Sequence, residues 1–158
     1  MSADTPIALT ARLAELGIDL PEVVAPVAAY IPAKVHGDLV YTAGQLPFVA
    51  GALPQTGKVG ESVPPADAHA YARQCALNAV AAAAAAAGGP DRLGGVLKVT
   101  GFVASAPGFT GQPGVINGAS ELLGELFGDA GRHARSAVGV AELPLGAPVE
   151  VEVVFTLV

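Results

Sequence analysis

Residues 133–157 read HARSAVGVAELPLGAPVEVEVVFTL, and this stretch decides the fold. It holds two runs of alternating character, 134–143 and 148–157, on either side of a Pro-Leu-Gly-Ala segment. Alternation with a period of two is typical of a strand that buries one face, and proline with glycine favours a turn. The stretch therefore predicts the last two strands of a sheet.

These two strands carry charges among small side chains. On the first, Arg135 shares a face with Ala137 and Gly139, and on the second, Glu150 shares a face with Glu152. Two main helices can cover only one face of a small sheet, so the small residues and isolated charges are expected on the face that remains. We therefore predict self-association over that face, with Arg135 and Glu150 near a subunit boundary.

The rest of the chain predicts three helices and three further strands. Working back from the last two strands, the predicted elements are helices over 114–127 and 66–87, strands over 95–105, 39–46 and 28–36, and a short helix over 6–17. Gly37-Asp38 is a hairpin turn pair, and the segment from Pro47 to Pro65 is a long loop. The order α-β-β-α-β-α-β-β contains no repeat, so we predict one α+β domain over 1–158 with a helical extension over 1–26.

The composition argues against several classes of function. The formal net charge is −6 with only eight Lys and Arg, whereas nucleic-acid binding needs a cationic stripe. The one cysteine, Cys75, makes no intrachain disulfide, and no Cys/His cluster has metal-ligand spacing. The N-terminus lacks a signal-peptide pattern, and the alanine run after Leu77 is too short to span a membrane. We expect a cytoplasmic protein without nucleic-acid, membrane or metal partners.

Arg135 and Glu150 are the main candidates for chemistry. A guanidinium beside small residues suits a ligand carboxylate, through two parallel hydrogen bonds, although an ion pair or a solvated strand end would give the same pattern. Glu150 would hold and activate water as a general base, or it would discourage edge pairing of the last strand. From spacing alone the structural interpretation of Glu150 is favoured.

His133 and Cys75 are weaker candidates. His133 has the side chain best suited to acid–base work near neutral pH, but a surface-loop position beside Arg132 and Arg135 is favoured. Cys75 stands among alanines on a predicted helix, which favours a buried, inert thiol over a nucleophile.

Six segments together resemble one protein family. They are YTAGQLP at 41–47, GKVGE at 57–61, ARQCALNAV at 72–80, GFVASAPGF at 101–109, VINGASELLGELFG at 115–128 and HARSAVGVAELPLGAPVEVE at 133–152. In this order they resemble the Rid (YjgF) family of reactive-intermediate deaminases, and above all its YjgF-like, endoribonuclease L-PSP branch. The resemblance implies a chorismate-mutase-like mixed sheet with two helices on one face, and a homotrimer with three sites between subunits.

The resemblance also implies an activity and a set of residues. Studied relatives hydrolyse 2-imino or 2-enamino acids to 2-oxo acids and ammonia, without a cofactor. By position, Arg135 matches the arginine that holds the substrate carboxylate, and Glu150 matches the glutamate that positions water. The implied pocket also includes Tyr30, Gly44 and Asn117. Ala43 and Ala137 replace a common serine and cysteine, which bears on substrate preference.

Two other functions remain open. A non-catalytic trimer that binds a small carboxylate metabolite would keep Arg135 without needing Glu150 for turnover. A ribonuclease, as the branch label implies, is less favoured because the chain is acidic and lacks a basic groove. A chorismate mutase rests on fold analogy alone.

Overall fold

Two long helices lie against one face of a five-stranded mixed sheet in the computed structural model, which describes residues 8–23, 25 and 28–158. The elements are α1 Leu9–Leu16, β1 Ala33–His36, β2 Leu39–Thr42, α2 Pro65–Ala87, β3 Leu93–Ala104, α3 Gln112–Phe127, β4 Ala134–Val140 and β5 Val149–Leu157. The strand order is β1-β2-β5-β3-β4, and only β3 and β4 are parallel. The predicted α+β class and element order are confirmed.

The two long helices pack closely because small residues line their contact. α2 begins with Pro65 at a first-turn position, where its missing N–H costs nothing, and ends at Gly88 in a left-handed conformation. Its buried side is mostly alanine. On α3, a Cβ added at Gly118 would lie 2.0 Å from the carbonyl oxygen of His69, so only glycine fits there.

The core lies between these helices and the sheet. β5 supplies its centre, because Val149, Val151, Val153 and Phe155 alternate along the strand and are each at most 1% exposed. Burying each such side chain stabilises the fold by roughly 1.5–3 kcal/mol. The alternate positions of β5 are half-buried and point to the face that no helix covers.

Several element boundaries differ from the prediction. The first strand begins at Ala33 rather than 28, because Tyr30 N–H donates to the carbonyl of Ala28 in a turn and Pro32 has no N–H to offer a ladder. The second strand ends at Thr42, although Gln45 still pairs with Val151.

Smaller differences occur elsewhere. The strand predicted over 134–143 ends at Val140, and the helix predicted over 114–127 begins at Gln112. The first helix spans Leu9–Leu16, while residues 6 and 7 of its predicted range, like the positions 24, 26 and 27, lie outside the described residues.

The loop between β2 and α2 is tied to the body of the protein. Val59 and Val63 are fully buried, and Val59 N–H donates to the carbonyl of Ala104 at the end of β3. Thus the loop contributes to the main core. No helix in the described part of the chain is long and apolar enough to cross a membrane.

Candidate functional site

Arg135 lies on the edge strand β4 and points toward α3. Its neighbour across the ladder is Val99, which is fully buried under the helices, and directly paired residues share a face. The guanidinium donates to Asn117 Oδ1 at 2.9 Å, Ser120 Oγ at 3.2 Å and the Pro113 carbonyl at 3.3 Å. These bonds use three of its five N–H donors, so two remain for a ligand.

Glu150 lies on β5 and faces the uncovered side of the sheet. Its ladder neighbour is Phe102, and no lysine or arginine of the described chain lies within ion-pair distance of it. Partial burial raises the pKa of the Glu150 carboxyl, and the negative charge of Glu152 raises it further. An uncompensated, partly desolvated carboxylate of this kind is suited to accept a proton from water.

The Glu150 carboxylate occupies space that is free only because Gly44 has no side chain. A Cβ built at residue 44 would lie 1.7 Å from Oε1 of Glu150 and 2.7 Å from its carboxyl carbon. Any larger residue would therefore displace the Glu150 side chain. Ala43, the neighbour of Gly44, is half-buried.

Arg135 and Glu150 do not share a face within one chain. Arg135 pairs with Val99 and Glu150 pairs with Phe102, and these two partners are three positions apart on β3. Positions an odd number apart on a strand face opposite sides of the sheet. The expectation that both charges lie on the uncovered face is therefore wrong for Arg135, because the parallel β3–β4 register turns it toward α3.

The other predicted pocket residues are divided in the same way. Asn117 lies with Arg135, through their hydrogen bond, and Gly44 lies with Glu150. Ala137 is two residues from Arg135 on β4 and half-buried. Tyr30 lies in a bend before β1, rather than in the first strand as expected, and is 51% exposed.

His133 also differs from the prediction in its placement. It is half-buried rather than exposed, with Nδ1 at 2.6 Å from the Gly131 carbonyl oxygen and Nε2 at 2.9 Å from Ser120 Oγ. Ser120, which binds both His133 and Arg135, was not among the predicted site residues. Its spacing of three from Asn117 on one helix is a signal that points to it, because such residues share a helix face.

Cys75 is fully buried, as predicted, and its thiol donates weakly to the carbonyl of Val149 at 3.7 Å. Burial, and then the charge of Glu150, raise the pKa of this thiol well above its ordinary value, which leaves it protonated and unreactive. Within the described ranges, no three His, Cys, Asp or Glu side chains are grouped to hold a metal ion.

A cavity of about 910 Å³ lies elsewhere, between α1, the end of α3 and the chain's last residue. Its lining includes Arg12, Asp91 and Glu125 and none of the predicted site residues. Arg135 and Glu150 are both half-buried in a single chain.

Comparison with known proteins supplies a family. The family model described as "YjgF/chorismate_mutase-like, putative endoribonuclease" matches residues 10–156. Protein TCP17 of Trypanosoma cruzi is 45% identical over 152 residues, which cover 94% of each chain.

Solved structures agree with this family match. The Agrobacterium tumefaciens protein Atu1372, of unknown function, is 43% identical with a TM-score of 0.87, over 96% of this chain and 93% of that one. The YjgF gene product of E. coli is 28% identical with a TM-score of 0.63, over 85% and 92% of the two chains.

Proposed function

Because the chain belongs to the YjgF/chorismate-mutase-like family, we propose that it hydrolyses reactive 2-imino or 2-enamino acids to 2-oxo acids and ammonia. The proposed catalyst is a homotrimer that works in the cytosol and uses no cofactor. The observation that carries the proposal is that the guanidinium of Arg135 is preorganised: three hydrogen bonds hold it, and two of its N–H donors stay free for a carboxylate.

The proposed site takes its two charged groups from different subunits. Arg135 and Glu150 lie on opposite faces of one sheet, so a single chain cannot place both against one small substrate. A second subunit that packs on the uncovered face of the first, with its own β4 edge beside that face, would bring its Arg135 next to the first subunit's Glu150. On that face Glu150 and Glu152 are half-buried and form no ion pair with a lysine or arginine of the described chain, so a partner that brings a positive group would fit there.

The chemistry needs little from the protein. Arg135 and Asn117 hold the substrate carboxylate, and Glu150 of the other subunit takes a proton from water as the water oxygen bonds to the imine carbon. Glu150 returns this proton to the imine nitrogen, which gives a tetrahedral intermediate with a hydroxyl and an amino group on the same carbon. Glu150 then moves the hydroxyl proton to the amino nitrogen, the C–N bond breaks, and ammonia leaves as the C=O bond forms. An imine carbon is already electrophilic, so orientation and one base are sufficient.

Subunit mixing tests both the reaction and the composite site. Imino acids are generated in situ by an amino-acid oxidase, and 2-oxo acid release is measured for Arg135→Ala and Glu150→Gln alone and after joint refolding. Each variant alone is expected to be inactive. In trimers assembled at random from equal amounts of the two variants, about one site in four has an intact arginine from one subunit and an intact glutamate from the next, so the mixture recovers about one quarter of the wild-type rate.

The controls separate the alternatives. Either variant mixed with the double variant should recover nothing. No recovery in the first mixture would place both groups of a site in one subunit. Carboxylate binding without any turnover would instead support a non-catalytic trimer that holds a small carboxylate metabolite. Salt-sensitive RNA binding would support the ribonuclease in the family's description, against the net charge of −6.

A further inference from the structure

A continuous chain of hydrogen bonds lies behind Arg135. The Gly131 carbonyl oxygen is 2.6 Å from His133 Nδ1, and His133 Nε2 is 2.9 Å from Ser120 Oγ. Ser120 Oγ is in turn 3.2 Å from Arg135 Nη1. One end of the chain is a backbone carbonyl that can only accept, and the other is a guanidinium that can only donate.

When the ring of His133 is neutral, the two ends fix the direction of every bond between them. Because the carbonyl of Gly131 accepts, Nδ1 of His133 must carry the proton, and Nε2 of the neutral ring is then an acceptor. The hydroxyl hydrogen of Ser120 points to Nε2, which leaves a lone pair of Ser120 Oγ to accept from Arg135. Without His133 the hydroxyl could rotate and oppose its hydrogen to the Arg135 N–H.

Close packing brings this chain together. A Cβ added at Gly131 would lie 2.4 Å from the carbonyl oxygen of Leu123 and 3.0 Å from its carbonyl carbon. Glycine therefore lets the segment before β4 approach the backbone of α3, and this contact carries His133 to Ser120. The network is half-buried, where each satisfied bond strengthens the next and a broken one is costly.

We propose that Ser120 and His133 are positioning residues for Arg135. They hold its Nη1 group against α3, so that the remaining donors face outward at the angle a carboxylate needs. That this anion is the substrate rests on the proposed function, whereas the direction of the hydrogen bonds from Arg135 through Ser120 to His133 does not. Neither residue touches the substrate in this arrangement; both act through the guanidinium.

The direction of the chain is tested on the wild-type protein by ¹⁵N NMR of the histidine rings, with His133→Gln used to assign the signals. At a pH where the ring is neutral, the shifts should report a proton on Nδ1 and a bare, hydrogen-bonded Nε2. A proton on Nε2 would overturn the proposal. The Nη protons of Arg135 should be resolved in the wild type and broadened in Ser120→Ala; equal signals in both proteins would also overturn it.

The consequence for binding is tested with pyruvate, a 2-oxo acid, in folded variants. Ser120→Ala and His133→Leu should each weaken pyruvate binding about tenfold. For the imino acid substrate they should raise KM about tenfold and keep kcat within about twofold of the wild type. His133→Gln should largely restore binding, since its amide oxygen can accept from Ser120. His69→Leu is the matched control, because it removes a different histidine bond to α3, that to Glu121 Oε2 at 3.1 Å.

The outcomes distinguish this inference from the proposed function. If Ser120→Ala and His133→Leu bind pyruvate as the wild type does, the positioning role is wrong while the deaminase proposal stands. If the wild type neither binds pyruvate nor turns over imines, the proposed function fails. The tautomer of His133 and the Arg135 signals then still decide whether the chain positions the guanidinium.

Discussion

Replacing Gly118 by alanine tests the close contact between α2 and α3. The added Cβ would lie 2.0 Å from the carbonyl oxygen of His69, 2.9 Å from its carbonyl carbon and 3.3 Å from the backbone nitrogen of Arg73. Atoms in good contact are about 3.5 Å apart, so the nearest approach is roughly 1.5 Å too short. All three neighbours are backbone atoms, so the helices themselves must separate.

The expected cost is large for one methyl group. Overpacking a close contact costs about 1–3 kcal/mol, and the rigid backbone here favours the upper end. A loss of about 3 kcal/mol is a substantial part of the roughly 5–15 kcal/mol that stabilises a typical domain. For a chain of this size it corresponds to a fall of about 6–12 °C in the unfolding midpoint.

Urea denaturation at one fixed subunit concentration measures the effect, since association would contribute to the apparent stability. Gly124→Ala on the same helix is the control, because a Cβ there meets no atom within 4 Å. That variant should gain about 0.5–1 kcal/mol, as alanine favours helix over glycine. A Gly118→Ala protein as stable as the control would refute the close contact.

Gly118→Ala should also weaken carboxylate binding at the proposed site. Asn117 and Ser120, on either side of Gly118, both hydrogen-bond to Arg135. Gly118→Ala should therefore displace α3 and weaken carboxylate binding, whereas Gly124→Ala, which displaces nothing, should bind a carboxylate as the wild type does.

Three further predictions concern charge and its placement. Gly44→Ala should lower turnover at least about tenfold without weakening carboxylate binding, because its Cβ would lie 1.7 Å from Glu150 Oε1; unchanged turnover would contradict the placement of this base. Activity should fall as the pH drops through the pKa of Glu150, and Glu152→Gln, which removes one of the charges that raise this pKa, should move the acid limb of the rate profile to lower pH. The hydrogen bond from Arg73 lowers the pKa of Glu125, so this pair stabilises the fold above the unfolded pKa of the carboxyl and ceases to as pH falls through the folded one. The stability difference between the wild type and Arg73→Leu should therefore shrink in acid, and a constant difference would assign it to packing of the arginine stem.

Much of the fold could be predicted because its signals are local. The alternation of valine and glutamate from Val149 to Val153, continued by Phe155, indicates a strand with one buried face, and the structure buries that face. The Gly37-Asp38 pair does join two short strands. The first strand was predicted too long, because the turn at Ala28 to Tyr30 depends on a backbone hydrogen bond that residue types alone do not specify.

The site was harder to predict because it depends on pairing between distant segments. Alternation groups Arg135 with Ala137 on one face but does not say which side of the sheet that face meets. The parallel register with β3, which pairs Arg135 with buried Val99, decides it. The half-buried position of His133 likewise depends on the contact between Gly131 and the backbone of α3, which no local pattern reveals.

The edge position of β4 explains how one sheet can serve a site from both faces. On a central strand, a side chain on the helix face would be sealed under α2 and α3, and Arg135 would meet no ligand. At the edge it stays half-buried, bonded to α3 on one side and open on the other. Glu150 lies on the face away from the helices, where it forms no ion pair with a lysine or arginine of the described chain. A partner that covered this face would desolvate Glu150 further and raise its pKa again unless it brought a positive group, and in the proposed trimer the neighbour's Arg135 and the substrate's iminium nitrogen are such groups.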